Sequence, residues 1–105
     1  MGIFGFGKAM TATTFMVALE QAKSGYSNSG RYSKDFTDYY VKKAQKSLLK
    51  LMVKDGEDEI TKEGWVGVAT YAEDIAIQCD EAGDEESKRI AESINRKALR
   101  ILSSM

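Results

Sequence analysis

The most constraining feature of the chain is an apolar periodicity between Thr61 and Gly83. Six residues recur there at steps of three and four, namely Trp65, Val68, Ala72, Ile75, Cys79 and Ala82. That spacing places all of them along one side of an α-helix. Further apolar residues lie beside or opposite this stripe, namely Val66, Ala69, Ala76 and Ile77. The helix is therefore predicted to have neighbours on more than one side and to be central in the fold.

Three other segments have the same helical periodicity. Helices are predicted over residues 8–24, 34–54, 61–82 and 84–104. Ser33 can cap the second helix, and Gly83 can end the third in a left-handed conformation. The chain of 105 residues contains no proline, the strongest helix breaker. We expect an all-α, four-helix bundle in one domain, in which short connections make the last three helices antiparallel neighbours.

The first seven residues, MGIFGFG, alternate glycine with Ile3, Phe4 and Phe6. They are predicted to form a short apolar arm before the bundle. The arm either packs over its own bundle, burying each ring for roughly 1.5 to 3 kcal/mol, or inserts into a partner. Its three apolar side chains are candidate partner-binding residues, together with Tyr39 and Tyr71.

The charges are segregated along the chain, although the net charge is only −1. Residues 31–54 carry +5, residues 55–86 carry −11 and residues 87–105 carry +4. One interpretation is internal: the acidic third helix packs between two basic helices, and the opposite charges select which helices are neighbours.

The other interpretation is a nucleic-acid site on the second helix. A stripe of lysines at helical spacing could bind phosphates there, and it comprises Lys43, Lys46, Lys50 and Lys54. Nearby tyrosines could stack on bases, namely Tyr32, Tyr39 and Tyr40. Most nucleic-acid modules are basic overall, so the acidic balance makes this the alternative rather than the preferred function.

Several chemistries are excluded by composition. The chain has no histidine, which removes the commonest general base and most zinc sites. Cys79 is the only cysteine, so no internal disulfide or paired-thiol site can form, and its place on the apolar stripe predicts a buried thiol. The acidic run of residues 55–59 departs from a calcium loop at three essential positions. No catalytic residue, metal site or cofactor is predicted, and an enzyme is not expected.

Trp65, Gly67 and Ala69 spell the motif W-x-G-x-A. Over these five positions the chain resembles the small helical-hairpin proteins exported by type VII secretion. That resemblance implies a partner-dependent secreted helical protein in which Trp65 contacts the partner. The family has the motif in a turn after one helix and a tyrosine signal near the end. Here two helices precede it and the tail KALRILSSM has no tyrosine, which favours Trp65 as a core residue.

A surplus of apolar residues guides the functional prediction. Many lie off the simple helical stripes: Ile3, Phe4, Phe6, Met16, Val17, Tyr39, Val41, Leu49, Val53, Val66, Tyr71 and Ile77. They favour a non-catalytic protein-interaction or oligomerisation module, as a homo-oligomer or with a protein partner. A small-ligand-binding bundle remains a further alternative, and it would need a pocket lined by groups such as Tyr40, Tyr71 or Glu73. No apolar run is long enough to span a bilayer and no signal peptide is evident, so a cytoplasmic location is predicted.

Overall fold

A computed structural model of the chain describes the backbone of residues 2–29 and 31–105, and the side chains of residues 7–24 and 31–105. It contains four α-helices, which are α1 (Gly2–Ser29), α2 (Lys34–Val53), α3 (Lys62–Ala82) and α4 (Glu85–Ser103). A short 3₁₀ helix, Glu57–Glu59, lies between α2 and α3. The described residues contain no strand. The prediction of an all-α fold with four helices is confirmed.

The helix ends are set by the capping residues that the sequence indicates. Ser33 Oγ accepts a hydrogen bond from Phe36 N at 3.3 Å, and Thr61 Oγ1 accepts one from Gly64 N at 3.0 Å. Each satisfies a backbone donor that the first helical turn leaves free. Gly83 ends α3 with a φ of 77°, in the left-handed region where glycine has no steric penalty.

The prediction for α1 was too short at both ends. The backbone of residues 2–7, expected as an arm, and of residues 25–29, expected as a loop, belongs to the helix. Glycine and serine weaken a helix by at most about 1 kcal/mol each relative to alanine, and no proline interrupts this segment. The side chains of Ile3, Phe4 and Phe6 lie outside the described residues.

The chain forms two antiparallel helical hairpins. Lys54 Nζ near the end of α2 donates to Thr11 Oγ1 of α1 at 3.0 Å, and Asn95 Nδ2 of α4 donates to the Ala69 carbonyl of α3 at 2.8 Å. Between the hairpins, α1 packs on α3 and α2 packs on α4. These pairs run parallel, because Phe15 contacts Trp65 while Lys23, further along α1, pairs with Asp74.

This arrangement corrects two expectations. Helices α2 and α3 lie on a diagonal of the bundle rather than side by side, so α3 does not pack between the two basic helices. The connection of residues 54–61 is long enough to cross that diagonal. The basic helix α2 instead pairs with acids at the start of α4: Lys42 Nζ lies 3.5 Å from Glu86 Oε2, and Lys34 Nζ lies 3.4 Å from Glu86 Oε1. The ion pairs between α2 and an acidic segment are thus formed with residues 84–86 rather than with α3.

The core lies between the two hairpins and is centred on Trp65, whose side chain is fully buried. The Trp65 ring packs 6.1 Å from the ring of Phe15, and Trp65 Nε1 donates to the Glu57 carbonyl at 2.9 Å. The motif W-x-G-x-A therefore lies inside a helix with its tryptophan in the core. Val41, which the helical pattern placed off the stripe, is also fully buried. Within the described residues, no helix combines the length and apolar character needed to cross a bilayer.

Candidate interaction surface

The outward side of α2 carries a continuous row of exposed residues. Tyr39, Lys43, Lys46, Lys50 and Val53 follow one another at steps of four and three. That spacing aligns them along the helix, on the side opposite the buried stripe of α2. The two apolar members at the ends of the row are strongly exposed, Tyr39 at 59% and Val53 at 84%. The row therefore combines apolar ends with a basic centre.

The lysines of this row differ from the other lysines of α2 in their partners. Lys34 and Lys42 are engaged by Asp84, Glu86 and Asp38. Lys46 and Lys50 form no salt bridge within the described part of the chain. Lys43 Nζ lies 6.0 Å from the centre of the Tyr39 ring, at the outer limit of a cation–π contact. Within the described residues, the lysines at the centre of the row are thus not held in direct ion pairs.

Helix α1 widens this row into a surface. Thr14 lines a surface depression of about 610 Å³ together with Tyr39, Lys46 and Lys50, and its lining also includes Asp35 and Asp38. Met10 and Val17 lie one turn to either side of Thr14 on α1, and each is about half exposed. We call this surface the basic face, and it comprises Met10, Thr14 and Val17 of α1 with Tyr39, Lys43, Lys46, Lys50, Val53 and Lys54 of α2.

The opposite hairpin carries a surface of the other sign. Val66, Thr70, Glu73 and Ile77 form an outward row on α3 at steps of four and three. The bond from Asn95 to the Ala69 carbonyl fixes the register of α3 against α4. In that antiparallel register, Val66 lies opposite Leu99 and Glu73 lies opposite Glu92. All three apolar members of this surface, Val66, Ile77 and Leu99, are about half exposed.

The same surface contains a depression of about 330 Å³, lined by Glu73, Ile77, Asp80, Lys88 and Glu92 among others. Lys88 is neutralised by Asp80, whose Oδ1 lies 2.9 Å from its Nζ. Glu73 and Glu92 form no salt bridge with any described residue. We call this surface the acidic face, and it comprises Val66, Thr70, Glu73, Ile77 and Asp80 of α3 with Lys88, Glu92, Asn95 and Leu99 of α4.

The predicted partner-binding residues are not brought together. Tyr39 lies on the basic face, whereas Tyr71 lies half buried on the side where α3 meets α1. There the Tyr71 ring lies 4.4 Å from Lys23 Nζ, a cation–π contact. Of the tyrosines suggested for base stacking, only Tyr39 is exposed. Tyr40 packs against the core, and the Tyr32 hydroxyl is engaged inside the protein.

A buried polar cluster lies at the end of the bundle where α2 and α4 begin. Sequence reasoning did not identify it. Asp84 is the N-cap of α4 and its side chain is almost fully buried. Its Oδ1 accepts from Ser87 N at 3.2 Å and lies 3.6 Å from Lys34 Nζ, while its Oδ2 accepts from the Tyr32 hydroxyl at 2.5 Å. That hydroxyl also lies 3.3 Å from Cys79 Sγ. The sequence offers only the capping preference of Asp84 as a signal.

The pKa values in this cluster follow from its burial and hydrogen bonds. Burial, followed by the hydrogen bond to Asp84, raises the pKa of Tyr32. Burial alone would raise the pKa of Asp84, but the bonds from Tyr32 and Ser87 and the charge of Lys34 hold it below its usual value. Burial is also the main cause that raises the pKa of Cys79, so the thiol stays protonated and unreactive. The predicted core position of Cys79 is confirmed.

The residues suggested for a ligand pocket are also separated. Glu73 lines the depression of the acidic face, Tyr71 lines a different one of about 390 Å³ beside Glu20 and Lys23, and Tyr40 packs against the core. Among the described residues, no group of three or more Cys, Asp and Glu side chains is arranged to hold a metal ion. The structure therefore does not assemble these three groups into one binding cavity.

Comparison with protein-family models, with curated protein sequences and with solved structures finds no match. No activity or partner can therefore be transferred from a relative. The functional evidence consists of the two charged faces and the buried polar cluster.

Proposed function

We propose that the protein is a non-catalytic interaction module that binds a protein partner on its basic face. The observation that supports this most directly is the row on α2, where exposed Tyr39 and Val53 flank lysines that form no salt bridge with described residues. Val53 lies beside the half-exposed Leu49, and the two line a surface depression of about 300 Å³ with Lys46 and Lys50. Contiguous exposed apolar side chains of this kind are typical of contact surfaces.

The apolar members supply the favourable free energy of association. Full burial of a side chain such as Val53 contributes roughly 1.5 to 3 kcal/mol relative to exposure. Tyr39 adds a ring that can be buried while its hydroxyl stays hydrated, a property that enriches tyrosine at interfaces. Met10 and Val17 of α1 extend the same apolar area. The aliphatic stems of Lys46 and Lys50 can cover the rest of the contact.

The lysines supply selectivity. Four lysines on one face attract an acidic partner surface and repel a basic one, which affects the association rate and partner choice more than the affinity. The buried cluster around Asp84 supports a non-catalytic protein, since its reactive groups are bonded to one another. The tyrosine hydroxyl and the thiol are both held protonated there.

Photo-crosslinking in the cells of origin tests this function. A photoreactive amino acid at position 39 or position 53 is expected to give a discrete protein adduct. The double substitution Lys46→Glu with Lys50→Glu is expected to remove that adduct, because it cancels the positive charge of the basic face. Position 58 is the matched control, since Asp58 is exposed and belongs to neither face. A folded protein that gives no adduct from position 39 or 53, or equal adducts from position 58, would contradict the proposal.

A second candidate function is nucleic-acid binding on the same face. It is favoured by the exposed lysines of that face and by the exposed ring of Tyr39 beside them. Binding would then weaken steeply with salt, with a logarithmic slope of about −0.7 to −0.9 per phosphate neutralised. Retention of single-stranded or duplex nucleic acid at low salt, measured by fluorescence anisotropy, tests it. Absence of retention at low salt would exclude it.

Two predictions about the partner are compatible with the proposed function. The partner is either a second copy of the chain, which gives a homo-oligomer, or a distinct protein. A cytoplasmic location also remains a prediction, which cell fractionation can check.

A further inference from the structure

We infer that the basic face binds the acidic face of a second copy of this chain, so that the protein associates head to tail. This inference rests on the proposed function and names the partner. A surface that complements the basic face must have apolar ends and acidic groups between them.

The acidic face meets the charge requirement. Glu73 on α3 and Glu92 on α4 form no salt bridge within the described residues, and the antiparallel register places them opposite each other. On the basic face, Lys46 and Lys50 likewise form no salt bridge within the described part of the chain. Glu92 shares the field of Lys88, which lies on the same face. Lysines exceed acids on the basic face and acids exceed lysines on the acidic face, so each face carries a net charge that the other can offset. Potentials of opposite sign on two contacting faces are the usual pattern of specific interfaces.

The acidic face also meets the apolar requirement. On α2, Tyr39 and Val53 flank the lysines over about 21 Å of helix, at 1.5 Å per residue. On α3, Val66 and Ile77 flank Glu73 over about 16 Å. Both rows repeat at steps of four and three, the spacing with which two helices pack along their length. When the two rows lie side by side, the lysines of α2 can thus contact the glutamate of α3. The apolar residues at the ends of the two rows can then contact each other.

The positions of the faces determine the type of assembly. One face belongs to the α1–α2 hairpin and the other to the α3–α4 hairpin, so they lie on opposite sides of the bundle. A contact between two different surfaces is heterologous, and each added copy leaves one face of each kind free. Dimers are therefore expected to be followed by longer oligomers as the concentration rises. A symmetric dimer that uses the same face twice would bring lysine against lysine.

The contact is expected to be weak. A face two helices wide and about 20 Å long lies at the small end of specific interfaces. Association should therefore be measured at high protein concentration, on the order of 0.1 mM and above, and at low salt.

Sedimentation equilibrium of the full chain and of two charge-reversal variants tests this inference. The first variant, Lys46→Glu with Lys50→Glu, cancels the positive charge of the basic face, because Lys43 and Lys54 remain. The second, Glu73→Lys with Glu92→Lys, makes both faces basic. Each alone is expected to raise the apparent dissociation constant at least about tenfold, equivalent to about 1.4 kcal/mol. An equimolar mixture is expected to associate again, because the unaltered acidic face of the first variant can then bind the unaltered basic face of the second. That recovery also shows that both variants are folded.

The matched control is Glu20→Lys with Glu81→Lys, which makes the same change in net charge at exposed acids outside both faces. It is expected to associate as the unmodified chain does. A monomer at about 1 mM and low salt would overturn the inference. So would association that the Glu73 and Glu92 reversal leaves unchanged, or variants that fail to associate when mixed.

The crosslinking experiment separates this inference from the proposed function. An adduct between position 53 and a second copy of the chain supports both. An adduct with a different protein overturns the head-to-tail contact but leaves the interaction module in place. Binding of nucleic acid or of anionic vesicles by a strictly monomeric chain overturns both.

Discussion

The hydroxyl of Tyr32 donates a hydrogen bond of 2.5 Å to Asp84 Oδ2, across 52 positions of the sequence. Tyr32 lies in the segment before α2, whereas Asp84 caps α4. Lys34 Nζ, 3.6 Å from Asp84 Oδ1, adds a second link between the same two elements. These two contacts therefore link the two hairpins at the end of the bundle where α2 and α4 begin.

Removal of the Tyr32 hydroxyl should destabilise the protein. Tyr32→Phe leaves a buried carboxylate without one of its donors, at an expected cost of about 1 to 3 kcal/mol in the free energy of unfolding. Urea unfolding followed by circular dichroism measures this. Tyr39→Phe is the matched control, because Tyr39 is exposed, and it should change stability by less than about 0.5 kcal/mol. Equal effects of the two substitutions would show that the Tyr32 bond contributes nothing.

The lowered pKa of Asp84 predicts a loss of stability in acid. The unfolded Asp84 binds a proton at a higher pH than the folded one, so the folded state is favoured above the unfolded pKa. That advantage should be lost as the pH falls from about 4 through the folded pKa. Unfolding of the unmodified chain and of Asp84→Asn, measured from about pH 7 to about pH 2, should give curves that converge in acid.

The difference between the two curves is the relevant quantity, because it isolates the contribution of the Asp84 carboxyl. A carbon-detected NMR titration of the Asp84 carboxyl provides an independent check. A pKa at or above the ordinary aspartate value would contradict the account of this cluster.

Substitution by alanine should have opposite effects on stability at two glycines of α3 that lie three residues apart. A Cβ at Gly64 would lie 2.6 Å from Ile60 Cγ2, and Ile60 is buried, whereas a Cβ at Gly67 would meet no atom within 4 Å. Gly67→Ala should therefore stabilise the helix by about 0.5 to 1 kcal/mol. Gly64→Ala should destabilise the protein, because overpacking costs typically about 1 to 3 kcal/mol. Thermal unfolding of both variants measures the difference, and similar shifts in one direction would disprove the contact.

Adjacent substitutions at positions 65 and 66 distinguish a core residue from a surface residue. Trp65→Ala should cost about 3 to 5 kcal/mol, because it leaves a cavity and removes the bond to the Glu57 carbonyl. Val66→Ala should cost less than about 1 kcal/mol, because the Val66 side chain is half exposed. Denaturant midpoints measure both effects. A partner-contact role for Trp65 would instead leave the stability of the isolated protein nearly unchanged.

Cys79 should react with thiol reagents only when the protein opens. Its side chain is fully buried and its pKa is raised by that burial, so little thiolate is present at neutral pH. Labelling by a chromogenic disulfide should therefore be slow and should accelerate in urea. Val53→Cys combined with Cys79→Ser is the control, because position 53 is 84% exposed and should label at once. Rapid labelling of native Cys79 would contradict its buried position.

Several features of the fold were predictable from sequence because they depend on local physics. Helical periodicity located all four helices, and the bounds of α2, α3 and α4 agree with the prediction within one residue. The cap at Ser33 and the left-handed Gly83 were predictable from residue chemistry. Helix α1 extends beyond the predicted bounds at both ends, because glycine and serine weaken a helix without ending it.

The neighbours of each helix were decided by the tertiary structure alone. The apolar stripes indicate which side of each helix is buried. They are equally compatible with several arrangements of the four helices around one core. Packing α2 on α4 rather than on α3 brings Tyr32 to Asp84 and separates Tyr39 from Tyr71. It also places the basic row on one side of the bundle and the acidic row on the other. Sequence determined the helices and the sign of their charges, whereas long-range packing determined which charged rows became faces.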